Sequence, residues 1–100
     1  MKIDGRMKVK KLQSEFKKTF GLTLRVYNGS KFADGDATLA SIRKGNAKGG
    51  EFSPRSNMKV ENFEDKMKEL FGIKVQVASA DNEKLCKNDL TLSEAKKECK

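Results

Sequence analysis

The chain has no histidine and no tryptophan, one proline, one tyrosine and two cysteines in 100 residues. Each scarcity excludes something. Without histidine the commonest general base and the commonest metal ligand are both missing. A Ser-His-Asp or Cys-His constellation cannot be built. Two cysteines are too few for a disulfide scaffold, and without histidine they cannot close a four-ligand zinc site unless carboxylates or a second chain complete it. No long apolar run is present, so no membrane span is expected. The opening Met1-Lys2-Ile3-Asp4 lacks the apolar stretch of a secretory signal. These absences lead to the expectation of a soluble, cytoplasmic protein. Its Cys86 and Cys99 are expected to be free thiols, the first a small buried side chain and the second frayed at the chain end.

What is present is charge and pattern. Lys and Arg number 22 against 14 Asp and Glu, a formal charge of +8, and 36% of the residues are hydrophobic. The apolar residues recur in order, so the chain reads as one folded domain over 1–100 rather than a disordered one.

The strongest pattern is an internal repeat. A shift of 51 residues lays Met7-Lys8-Val9 on Met58-Lys59-Val60, Phe20-Gly21 on Phe71-Gly72, and Val26 on Val77. Past the two extra residues Asp81-Asn82 the shift becomes 53, and Asp36-Ala37-Thr38-Leu39 meets Asp89-Leu90-Thr91-Leu92. Of 38 aligned positions, 12 are identical. Repeat one covers about 1–44, a Gly-rich linker about 45–57, and repeat two about 58–100.

Each repeat reads as helix, strand, loop, short helix. Val9, Leu12, Phe16 and Phe20 recur at helical spacing, as do Val60, Phe63, Met67 and Phe71, joined by Leu70. Gly21 and Gly72 follow as left-handed helix stops. Period-2 strands come next, with Leu22, Leu24 and Val26 turned inward and Thr23, Arg25 and Tyr27 outward. In the second copy Ile73, Val75 and Val77 turn inward, and Lys74, Gln76 and Ala78 outward. Thr91-Leu92-Ser93-Glu94 is a capping box for the last helix. Short strands are expected at Lys2-Ile3 and Glu51-Phe52-Ser53. Neither 38-residue unit can bury an adequate core alone. The expectation is therefore one α+β domain of two tandem helix-strand-helix repeats related by a pseudo-two-fold axis. Helices should cover one face of its small sheet.

The charge is divided unevenly. Residues 1–50 hold 12 cationic and 4 acidic side chains; residues 51–100 hold 10 of each. Aligned helix positions change sign: Lys10 becomes Glu61 and Lys18 becomes Glu69. Core packing does not demand such changes on an exposed face. Arg6, Lys8, Lys10, Lys11, Lys17 and Lys18 on and before the first helix form a candidate anion surface. Arg25 and Tyr27 on the strand, and Arg43, Lys44, Lys48 and Arg55 around the linker, extend it. Nucleic acid is the commonest large anion for such a footprint. Lys outnumbers Arg 18 to 4, which favours backbone contacts with little sequence preference. Glu61, Glu64, Asp65 and Glu69 form an acidic counterpart that suits a protein partner or head-to-tail association.

The linker Lys44-Gly45-Asn46-Ala47-Lys48-Gly49-Gly50 is not a Walker loop. Glu51-Phe52 follows where Lys-Ser/Thr is required. The expectation is a non-enzymatic binding module with no cofactor, no metal and no small-molecule substrate. Its anticipated partner is nucleic acid held through the first repeat; the alternative is a protein-interaction module, adaptor or inhibitor.

Overall fold

The computed structural model describes residues 1–43, 45 and 47–99. Strand β1 (Ile3–Asp4) leads into α1 (Val9–Phe20), then β2 (Thr23–Asn28) and β3 (Lys31–Phe32). A one-turn 3-10 helix at Ala40–Ile42 precedes β4 (Glu51–Phe52), α2 (Val60–Phe71), β5 (Val75–Ala78) and α3 (Leu92–Glu98). The result is a small α+β domain.

Both long helices have 12 residues and stop on a left-handed glycine, Gly21 at φ 68° and Gly72 at φ 64°. A Cβ at either would meet the left-handed steric penalty, so glycine ends the helix sharply enough for a strand to follow. The central sheet is antiparallel in the order β3-β2-β5, with Leu24 opposite Val77 and Arg25 opposite Gln76. A second, two-stranded pairing sets Ile3 against Phe52. The inward side chains Leu22, Leu24, Val26, Ile73, Val75 and Val77 are all buried. Helix α1 packs on β2 and α2 on β5, and the helices meet where the Phe16 and Phe63 ring centroids lie 5.1 Å apart. Both rings are fully buried. Each contributes about 1.5–3 kcal/mol by leaving water, and together they make one core shared by both halves.

Neither long helix has a side-chain N-cap. The chain supplies the missing acceptors from a strap that crosses each helix start. Val9 and Lys10 amides donate to the Ala37 and Gly35 carbonyls, and Val60 and Glu61 amides to the Leu90 and Asn88 carbonyls. The strap returns Leu39 N–H to Met7 and Leu92 N–H to Met58, both at 2.9 Å. Leu39 and Leu92 are thereby pinned in the core with no exposure.

The halves differ after the strap. Thr91 and Glu94 form the expected reciprocal cap, and α3 runs on to Glu98. Ser41, aligned with Glu94, is too short to reach back, and the first half makes a single 3-10 turn instead.

Three expectations are overturned. Cys86 and Cys99 are not free thiols but a disulfide, with Cα atoms 5.4 Å apart. Cys99 is buried rather than frayed, because α3 turns it onto the same face as Leu92 and Ala95. The thiols therefore no longer support a reducing compartment. Ala78, read as outward, is buried too, because Leu85 bridges across it. No described helix is long and apolar enough to cross a membrane.

Candidate functional site

The anticipated basic surface divides into a convergent part and a scattered part. Arg6, Lys8, Lys10 and Lys11 converge. With Lys2, Asp4 and Met7 they line one open depression of about 590 Å³ at the start of α1. Lys2 was not anticipated; the β1·β4 pairing brings it there, where it also meets Glu51 at 3.1 Å. Five cations thus face one lining carboxylate. The first two amides of the helix are already spent on Ala37 and Gly35. The positive charge there comes chiefly from side chains.

Lys10 is paired with Asp36 at 2.7 Å, both well exposed. The hydrogen bond and charge of Asp36 raise the Lys10 pKa, and Lys10 in turn holds the Asp36 carboxyl below its usual value. Solvent screens such a pair, so it contributes little to stability. A phosphate can displace Asp36 at small cost. Among the described residues, Arg6, Lys8 and Lys11 make no ion pair.

The remaining cations are dispersed. Lys17 Nζ donates to the Ala80 carbonyl across the domain. Lys18 is exposed in the last turn of α1, where a cation suits the helix dipole. Lys48 bridges to Glu69 at 3.3 Å. The backbone amides of Lys48 and Gly49 cap the Glu69 and Leu70 carbonyls. The linker is therefore docked on the end of α2 around Lys48. Arg43 lies against Gly49, where an added Cβ would fall 2.5 Å from its guanidinium. Arg55 is exposed in the turn before α2. Lys44 lies outside the described residues.

The acidic set does not act as one stripe either. Glu61 and Asp65 are exposed, and Glu69 is taken by Lys48. Glu64 is half-buried beside Asp65, Lys68, Lys74 and Gln76. Burial pushes its carboxyl above the usual value, and a hydrogen bond from the Val77 amide offsets part of that rise.

The outward face of the sheet carries a second cluster. Arg25 donates from Nε and Nη2 to the side chain and backbone of Asn82, at 2.7 and 2.9 Å. The Tyr27 hydroxyl donates to Gln76 at 2.7 Å. Phe32, opposite Tyr27 in the hairpin, stacks on its ring with centroids 5.0 Å apart and planes 21° apart. Lys74 Nζ stands 5.4 Å from the Tyr27 ring centroid, a cation–π distance. Phe32 is 67% exposed. Sequence reading missed Phe32 and Lys74 as site residues. The signal was available: the two-residue turn Gly29-Ser30 puts Phe32 opposite Tyr27.

No protein-family model matches the chain, and neither a curated protein nor a solved structure matches it.

Proposed function

We propose that this chain is a non-enzymatic binding module that holds nucleic-acid phosphates in the basic depression at the start of α1. The observation that carries this reading is the convergence of Lys2, Arg6, Lys8, Lys10 and Lys11 on one depression. Asp4 is the one lining carboxylate, Lys2 and Lys10 are paired with Glu51 and Asp36 at its edge, and Arg6, Lys8 and Lys11 make no ion pair among the described residues. Flexible lysine ammonium groups suit phosphate oxygens as point charges and read base edges poorly. The binding is therefore backbone-directed and salt-sensitive.

The module is a tandem duplication with a pseudo-two-fold axis. The strand register supports this. The β2·β5 pairing is symmetrical about Arg25 and Gln76, with Leu24 facing Val77 and Val26 facing Val75. Arg25 and Gln76 are equivalents under the 51-residue shift, which is the condition for a two-fold axis between them. The β1·β4 register centres by the same arithmetic on Lys2 and Ser53, also equivalents. On this reading the depression is the feature by which the first copy diverged from the second.

The test is a titration with fluorescent single- and double-stranded oligonucleotides at about 50 and 200 mM salt. Four phosphate contacts reduce affinity roughly 100-fold over that range. The triple variant Lys8→Glu, Lys10→Glu, Lys11→Glu abolishes binding while leaving the circular dichroism unchanged. A folded triple variant that binds like the parent removes the reading. In that event a protein partner recognising exposed Glu61 and Asp65 becomes the better account.

A further inference from the structure

We propose that the outward sheet face of the first half is a stacking platform for single-stranded nucleic acid, with Phe32 receiving a base and Lys74 and Arg25 taking adjacent phosphates. This rests on the phosphate-binding reading above and specifies the form of nucleic acid.

The stack begins inside the molecule. Lys74 stands over Tyr27, Tyr27 stacks on Phe32, and Phe32 lies on the edge strand with two-thirds of its surface in water. The pile is open at one end. Leaving a large ring so exposed is unfavourable for the free protein, and a planar base continues the stack with an aromatic partner. Single strands offer such bases; a duplex keeps its bases stacked inside.

The surrounding charge suits a phosphate backbone. The outward strand positions Thr23, Arg25, Tyr27, Phe32 and Gln76, with Lys74 just before β5, include two cations and no carboxylate. Glu64 and Asp65 of α2 stand beside Lys74, so Arg25 is the cation with no acid of that depression next to it. Asn82 fixes the Arg25 guanidinium through Nε and Nη2. Among the described residues its Nη1 has no partner, so that group is held in place and still able to donate.

The second half provides an internal comparison. Ala78 and Leu85 pair as Tyr27 and Phe32 do, and they occupy the equivalent positions under the repeat shifts. There the aromatic pair is replaced by Ala and Leu. The half that carries the excess charge is thus also the half that carries the exposed aromatic stack. Two independent asymmetries coincide.

The experiment measures anisotropy of fluorescent oligothymidine and of a duplex of equal length. The proteins are the parent, Phe32→Ala, Leu85→Ala and the triple Lys-to-Glu variant. Phe32→Ala weakens single-strand binding by about 5- to 150-fold, the range for losing one base stack, and leaves duplex binding unchanged. Leu85→Ala, at the equivalent exposed position, changes neither. Phe32→Trp gives the chain its only tryptophan, whose emission oligothymidine quenches. Single-strand affinity unaltered in Phe32→Ala, or unquenched emission in Phe32→Trp, overturns the platform. If the triple variant still loses binding in that case, phosphate binding stands and only the platform falls. A parent that binds neither nucleic acid removes both. Self-association that disappears in Phe32→Ala, seen by sedimentation, overturns the proposal in favour of a second copy on this face.

Discussion

The two halves of this domain share a buried frame and differ in nearly everything they present to solvent. Helices of equal length end on left-handed glycines at equivalent positions, and equivalent straps cap their starts. On that common frame the first half carries the whole excess of positive charge and the exposed Tyr27-Phe32 stack. The second half is electrically balanced, ends in a capped helix and holds the disulfide. Buried positions are constrained by close packing, whereas surface charge is nearly neutral for folding. Two halves can therefore have matching buried frames and differ in surface charge.

The largest effect expected from breaking this comparison is in the shared core. Phe16→Ala and Phe63→Ala each destabilise by about 3–5 kcal/mol, a large share of the 5–15 kcal/mol typical of whole domains. Because the two rings touch, at 5.1 Å between centroids, the double variant loses less than the sum of the singles. Urea unfolding measures the energies and amide exchange measures where protection is lost. Loss of protection in both α1 and α2 from either variant fits one core. A Phe63→Ala protein that keeps full protection in α1 divides the molecule into two independent units.

Next in size is the disulfide, which has no counterpart in the first half. It joins residues 13 apart in sequence, and closing a loop of that length is worth about 3 kcal/mol. Reduction, or Cys86→Ser with Cys99→Ser, lowers the melting temperature by roughly 15 °C. Amide exchange accelerates first in α3. Exchange that rises equally in α1 and α3 contradicts a local clamp on the second half.

The main elements were readable because both periodicities are clean and each is repeated. Val9, Leu12, Phe16 and Phe20 are all buried as expected, as are Val60, Phe63, Met67, Leu70 and Phe71. The disulfide was missed for a physical reason. Cys86 aligns with Ala33 and reads as a small core residue, and Cys99 was judged by its distance from the chain end. The better signal was pitch: Leu92, Ala95 and Cys99 fall at helical spacing on one face, which carries the sulfur inward. The basic surface was only partly readable. Spacing along α1 identifies Lys10 and Lys11, but only the tertiary fold turns Lys17 toward Ala80 and brings Lys2 beside Lys8.

The smallest effect sharpens the comparison at a single aligned pair. Gln13 and Glu64 are equivalents under the 51-residue shift. Gln13 Nε2 donates to the Leu24 carbonyl at 2.9 Å, securing α1 to β2. Glu64 occupies the same place on α2, where burial raises its pKa, assisted by neighbouring Asp65 and opposed by the Val77 amide and Lys74. A group whose folded pKa is raised contributes stability that is fully present below its unfolded value, here 4.5. That contribution is lost as pH rises through the folded value. Glu64 therefore puts a carboxyl whose charged form is disfavoured by burial in a place where its equivalent is a neutral amide. Glu64→Gln restores a donor that can meet the Val75 carbonyl, the equivalent of Leu24. It stabilises the protein at neutral pH by about 0.5 kcal/mol, since solvent screens a half-exposed group. In acid, below the unfolded value, the gain disappears. Asp36, Asp81 and Glu94 have lowered pKa values and make the whole protein less stable in acid, so only the difference between variant and parent isolates Glu64. Urea unfolding of both proteins at neutral and acidic pH measures that difference. A gain of equal size at both pH values assigns the effect to packing and rejects the electrostatic account.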